Sequence, residues 1–126
     1  MGTTYHIYFD INTQTVVMDW DGYATNEQFR SGSLLMLELV QKHNATKVLA
    51  DTKDMIIIDR EDQSWAGEVL IPKLVEAGCR QVAIISPHSF FNKIAVETIT
   101  FKALEKSLTC NLFHNTGEAR EWLAQT

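Results

Sequence analysis

Three short β-type runs, "KVLAD" (residues 47–51), "RQVAIIS" (80–86) and "TCNLFH" (109–114), each follow a segment of helical period and each precede another. A strand that leads through a helix to a further strand must cross back over its own sheet. Such crossovers are right-handed and set their strands parallel. This alternation predicts an α/β chain with a substantially parallel sheet. The chain opens differently, with "TYHIYFD" and "TVVMDWDG" separated by "INTQ", whose Asn and Thr suit a short turn. Those two runs predict a hairpin. The complete order is ββαβαβαβα, a central mixed sheet packed by helices.

The helical segments carry more detail. "ATNEQFRSGSLLMLELVQKHN" begins with Thr25 followed three residues later by Gln28, the form of a capping box. Phe29, Gly32, Ser33, Met36, Leu37 and Val40 then recur at helical spacing, with Glu27, Glu38 and Gln41 opposite. Leu35 and Leu39 widen the apolar face beyond the ~100° stripe a surface helix needs. A thick core within the chain and a homodimer both account for that width. In the second helix, residues 60–77, Ala66, Leu70, Leu74 and Ala77 line up while Ile71 and Val75 fall on the other side. Pro72 cannot donate an internal hydrogen bond, so a kink or restart is predicted there. A third helix is expected over 89–108, with Phe91, Ile94, Ala95, Thr98, Phe101, Leu104 and Leu108 inward, and a fourth over 117–125.

Composition bounds the function. The 126 residues contain no repeat, no low-complexity segment and no Pro/Gly/Ser-rich linker, so residues 1–126 read as one domain. The net charge is −5, from 16 acidic and 11 basic side chains, with no Lys/Arg cluster. Nucleic acid and anionic membrane surfaces are poor partners for such a chain. No apolar stretch approaches the ~20 residues that span a bilayer, so no membrane insertion is expected. "MGTTYHIYFD" lacks the basic and apolar regions of a secretory signal, and His6 stands where a myristoylation signal needs Ser or Thr. The expectation is a soluble cytoplasmic protein, with Cys79 and Cys110 as reduced, mostly buried thiols.

Acidic residues concentrate in "ADTKDMIIIDREDQSW" (50–65), which holds Asp51, Asp54, Asp59, Glu61 and Asp62. A hard cation needs several convergent oxygens. The EF-hand spacing fails, because a loop beginning at Asp51 wants acceptors where Lys53 and Met55 stand. An ordinary account covers all five: Asp51 ends a strand, Asp54 supports a turn, Asp59 caps a helix, and Glu61 and Asp62 favour its first turn. No metal and no cofactor are expected.

Two other groups are candidates. "SPHSFFNK" (86–93) lies at the carboxyl end of a parallel strand, the edge where ligands of open α/β sheets collect. Ser86, His88, Ser89 and Asn92 supply polar groups there, and Ser89 also suits a plain N-cap. His88 and Ser89 are adjacent and no GxSxG elbow precedes them, so no nucleophile is assigned. Trp20, Tyr23 and Trp65 fit core packing, or a face for a protein partner or apolar ligand. His6, His43 and His114 are isolated and receive no role.

The strand ending at Asp51, the apolar connector "MIIID" and the helix starting directly after Asp59 resemble the STAS domain, also called the SpoIIAA-like fold. That is the fold of bacterial anti-sigma factor antagonists and of sulfate-transporter cytoplasmic tails. The resemblance covers essentially the whole chain, and "DWDGYAT" in the hairpin is similar to small stand-alone bacterial members, largely uncharacterised. In the antagonists the residue after the helix-initiating Asp is a phosphorylatable Ser. Here it is Arg60, which cannot accept a phosphoryl group.

With no complete catalytic constellation, the leading expectation is a non-enzymatic interaction or small-ligand-binding module, without phosphoserine control. Its surface would comprise Asp51, Asp54, Asp59, Arg60, Trp65, Ser86, His88 and Ser89, and would take a protein partner or a small apolar or anionic ligand. The rival expectation is a lipid or apolar small-molecule binding protein, or a small enzyme, with a pocket under a movable second helix. Shape relatedness of STAS-like folds to lipid-transfer domains and the Pro72 break suggest it.

Overall fold

A computed structural model of the chain describes residues 4–22, 24–55, 59–86, 94, 97, 99 and 108–125. Its hairpin is β1 (Thr4–Asp10) and β2 (Thr15–Gly22), antiparallel and in unbroken register from Thr4↔Asp21 to Asp10↔Thr15. The turn between them uses Gln14 at φ 53, a left-handed conformation that permits a tight reversal. β3 (Lys47–Met55), β4 (Gln81–Ile85) and β5 (Thr109–Phe113) then add in parallel, giving the spatial order β1-β2-β3-β4-β5. The mixed sheet is as expected from the sequence.

Every crossover steps to the next neighbour in one direction. Right-handed connections of that kind place their helices on a single face. The buried side chains agree. Met36, Leu37 and Val40 of α1 (Asn26–His43) share a core with Val16, Met18, Val48, Val82 and Ile84. The last helix, α4 (Thr116–Ala124), follows the final strand and is free of that constraint. It covers the opposite face, where Ala119 and Leu123 meet Val17, Leu49, Ala83 and Ile85.

α1 starts as its sequence predicts. Thr25 accepts from the Gln28 backbone N–H at 3.1 Å, and the Gln28 side chain accepts from the Thr25 backbone N–H at 2.9 Å. Asn44 ends the helix in a left-handed conformation, its N–H donating to Val40 O. Asp59 caps the next helix through the Asp62 N–H, and Asn115 caps α4 through the Glu118 N–H, both at 2.9 Å.

The second helix departs from expectation. It comprises α2 (Arg60–Trp65), a π-helical turn (Ala66–Leu70) and α3 (Ile71–Glu76). The irregularity therefore lies before Pro72 rather than at it. Within a regular α-helix the Pro72 ring would strike the carbonyl four residues back. The wider turn, in which the Ile71 N–H donates to Ala66 O five residues back, removes that conflict. The extra residue also rotates α3 about the helix axis: Ile71 is buried in the core with Ala66, Leu70 and Leu74 instead of lying on the other side. The third strand differs from expectation as well. β3 continues through Asp51 and Asp54 to Met55, because pairing with β2 extends that far, so neither aspartate ends a strand or supports a turn. Ile94, expected inward, is 48% exposed. The remainder of the expected 89–108 helix falls outside the described residues, apart from residues 97 and 99, which are helical, and Leu108, which is buried.

One contact fixes how closely α1 lies on the sheet. A Cβ added to Gly32 would sit 2.5 Å from Trp20 Cη2, and Trp20 is only 2% exposed. Tyr5 and Phe29 pack against the ring and resist its withdrawal. Gly32→Ala is therefore expected to lose about 1–3 kcal/mol to overpacking, only partly offset by the ~1 kcal/mol better helix propensity of alanine. Urea denaturation measures this as a lower midpoint at unchanged slope.

Candidate functional site

The two faces of the sheet divide the candidate residues. Val17 and Leu49 face α4, and side chains two residues on along a strand share a face, so Asp19 and Asp51, paired in register, lie on the α4 side as well. Asp51 is 8% exposed and accepts two hydrogen bonds from Lys53, at 3.2 Å from its backbone N–H and at 2.6 Å from Nζ. Lys53 Nζ also lies 3.9 Å from the Asp54 carboxylate. The hydrogen bond to Asp51 holds the Lys53 ammonium above its ordinary range. Burial, reinforced by Asp51, raises the Asp19 carboxyl. This arrangement is an ammonium held among aspartates that would otherwise repel one another. Among the described residues no three His, Cys, Asp or Glu side chains are disposed to hold a metal ion.

Asp59, Arg60 and Trp65 belong instead to the helical face. The Asp59 side chain is engaged in its cap, and Arg60 is exposed. Trp65 packs edge-on against Phe29 at 6.2 Å, and Phe29 stacks on Trp20 at 5.9 Å. The aromatic grouping of Trp20 and Trp65 thus exists, bridged by Phe29; Tyr23 lies outside the described residues. Asp51 and Asp54 do not converge with this group. Ser86 lies just past β4, its N–H donating to Phe113 O at 2.8 Å, while His88 and Ser89 lie outside the described residues. His43 stacks on Phe9 at 3.9 Å, closing the hairpin against the end of α1. On the outward side of α1, Leu34 and Leu35 are exposed.

The space under the second helix, which the rival expectation named, lies between these elements. Between the sheet, α1 and the α2–π–α3 segment, with Ile99 and Leu108 at its margin, lies a partly open cavity of about 110 Å³. Its floor includes Met18, Trp20, Ala50, Thr52 and Ile84, and its roof includes Met36, Ala66, Leu70, Ile71 and Leu74. Three of the chain's four methionines line it, which gives an apolar wall that can adapt its shape. Its volume is below the ~150 Å³ of an engineered apolar cavity that takes up benzene, and far below the ~300 Å³ of drug-sized pockets. Alanines at 50 and 66 leave space that larger side chains would fill. The π turn frames the opening of this roof from α2, and such turns recur at functional sites.

Cys110 lines the cavity and Cys79 is buried nearby. Burial pushes both thiols up to about 12, so neither supplies a thiolate near neutral pH.

An ion pair ties the roof to α1, beside a hydrogen bond from Asn26 Nδ2 to Glu61 Oε2 at 3.3 Å. Arg30 Nε donates to Asp62 Oδ1 at 3.2 Å, and the guanidinium lies 5.4 Å over the Trp65 ring. Asp62 is 2% exposed. Burial raises its pKa above 3.8, while the Arg30 hydrogen bond lowers it. For a carboxyl whose folded pKa is raised, the folded state holds more protons than the unfolded state between the two pKa values. Stability therefore falls as pH rises through that window. Arg30→Ala leaves a buried carboxylate uncompensated and is expected to lower stability at pH 7 by roughly 1–3 kcal/mol. That loss shrinks as the pH is lowered and Asp62 takes up its proton. Asp62→Asn retains an acceptor for Arg30 without a charge to bury, so its denaturation midpoint at pH 7 equals or exceeds that of the parent.

Comparison with known proteins places this architecture. No protein-family model matches the chain, and no curated protein matches it. Among solved structures, an uncharacterised protein of the DUF3478 family from Shewanella loihica, described as having a SpoIIAA-like fold, superposes with a TM-score of 0.65. The match covers 97% of this chain and 94% of that one at 17% sequence identity. The chain has the SpoIIAA-like fold. None of its helices, among the described residues, is long and apolar enough to cross a membrane.

Proposed function

We propose that the protein is a non-enzymatic binding module whose interior cavity receives a small apolar molecule. The observation that carries this reading is the cavity of about 110 Å³ beneath a helix that a π turn divides. Native interiors are packed to crystal-like density, and an apolar void forfeits contacts on every wall it leaves bare. A ligand that fills the void restores those contacts without requiring water to be displaced from polar groups. The described walls supply few polar atoms, which suits an apolar occupant of on the order of four or five non-hydrogen atoms. An acyl chain exceeds that volume. The π turn supports entry, since a helix already divided into two short segments yields more readily than a continuous one.

Arg60 at the start of α2 supports the non-phosphorylated character of the module, because the position offers no hydroxyl. The high thiol pKa values argue against either cysteine as a nucleophile.

Isobutene titrated into protein carrying 13C-methyl methionine tests the reading. Saturable shifts of the Met18, Met36 and Met55 methyls are expected, together with a rise in thermal midpoint that follows the ligand concentration. Ala66→Leu, which fills the roof, is expected to abolish both effects while keeping native spectral dispersion. Unperturbed methyl signals in the parent protein at saturating isobutene would contradict the proposal.

A further inference from the structure

We infer that Ser33 selects the ligand: the cavity takes a compact molecule that is apolar except for one hydrogen-bond acceptor, placed against the Ser33 hydroxyl. The inference rests on the binding reading above and specifies its chemistry.

Ser33 projects from α1 into the cavity lining and is 1% exposed. Its hydroxyl has no hydrogen-bond partner among the described residues. A serine inside a helix ordinarily turns back to the carbonyl four residues earlier, and buried polar side chains nearly always find a partner. This one does neither, in a wall whose other polar groups among the described side chains are the Thr52 hydroxyl, the Cys110 thiol and the Trp20 indole N–H. The neighbouring hydroxyl is different. Thr52 Oγ1 donates to Ile85 O at 2.7 Å, so its proton is already committed. The Cys110 thiol is a weak donor. The Trp20 indole N–H, on the sheet side of the same cavity, also has no partner among the described residues. Both spare groups can donate, the described lining brings no carboxylate or amide to accept from them, and neither is bonded to the Thr52 oxygen. A ligand that carries an acceptor, such as a small ketone, aldehyde or ether, supplies what the wall lacks.

Helix formation does not explain the residue. Alanine is a better helix former than serine and would fill the same position without a polar atom to bury. Capping is excluded by place, since Ser33 lies well inside α1 (Asn26–His43).

The test is a matched pair of probes, acetone and isobutene, which have nearly the same shape and differ in the acceptor. Each is titrated into the parent protein and into Ser33→Ala, with methionine-methyl NMR as the readout and thermal unfolding of both ligand-free proteins as a control for folding. The expected result is about 5-fold weaker acetone binding in Ser33→Ala, isobutene affinity within 2-fold, and a ligand-free variant at least as stable as the parent. If both probes bind the parent and the substitution changes neither, or weakens both alike, the role of Ser33 is overturned while the cavity reading stands. If neither probe binds the parent, the cavity reading fails and takes this inference with it. An ordered water on Ser33 that persists in a crystal structure with acetone bound would also overturn it.

Discussion

The contact between Trp20 and Gly32 sets the geometry on which the rest depends. A large ring, buried at 2% exposure, lies against a helix position with no side chain, so α1 can neither approach nor slide at that point. Tyr5 supports the ring from β1 at 5.1 Å, and Phe29 continues the aromatic series towards Trp65. Away from this pillar the facing residues are smaller. Ala50 on the sheet and Ala66 in the roof cannot fill a gap held open by an indole, and the cavity lies between them. Packing and site are thus one consequence of side-chain size.

The roof arises from a different constraint, that of the backbone. Pro72 excludes a regular helix through its own position, and the chain resolves the conflict one turn earlier, with the π turn at Ala66–Leu70. The rotation this introduces brings Ile71 into the core beside Leu70 and Leu74. The same segment is joined to α1 through Arg30 and Asp62, a pair formed at the cost of burying a carboxylate. A roof assembled from two short helices, a wide turn and an ion pair has little regular backbone support, and it covers an apolar space.

The sequence revealed the architecture well and the site poorly. Hairpin, strands and caps obey local rules: the β-rich composition of β1 and β2 on either side of a short turn, the Thr25–Gln28 capping box, and Asp59 before its helix. The length of β3 was hidden because Asp51, Thr52, Lys53 and Asp54 have no apolar pattern; their strand character comes from pairing with β2. The acidic stretch looked like one feature in the sequence. The fold separates it, placing Asp51 on the α4 side of the sheet and Asp59, Glu61 and Asp62 on the helix of the other face. Ser33 read simply as a member of the inward stripe, where it does lie. A cavity is the absence of atoms contributed by several distant elements, and no spacing in a single sequence records it. The signal that was present lay in composition: small residues at 32, 50 and 66 among methionines at 18, 36 and 55.

The resemblance to anti-sigma factor antagonists implies a serine at the position after the helix-initiating aspartate. This chain places Arg60 there and devotes the adjacent helix to covering an apolar interior. The most direct measurement of that interior is a crystal structure under xenon pressure, since xenon enters apolar voids without needing a hydrogen-bond partner. A strong xenon peak is expected among Met36, Leu70 and Ile84, lost when Ala66 is replaced by leucine. Xenon absent from this space, with Met18, Met36 and Met55 packed together to close it, would contradict a ligand-receiving cavity.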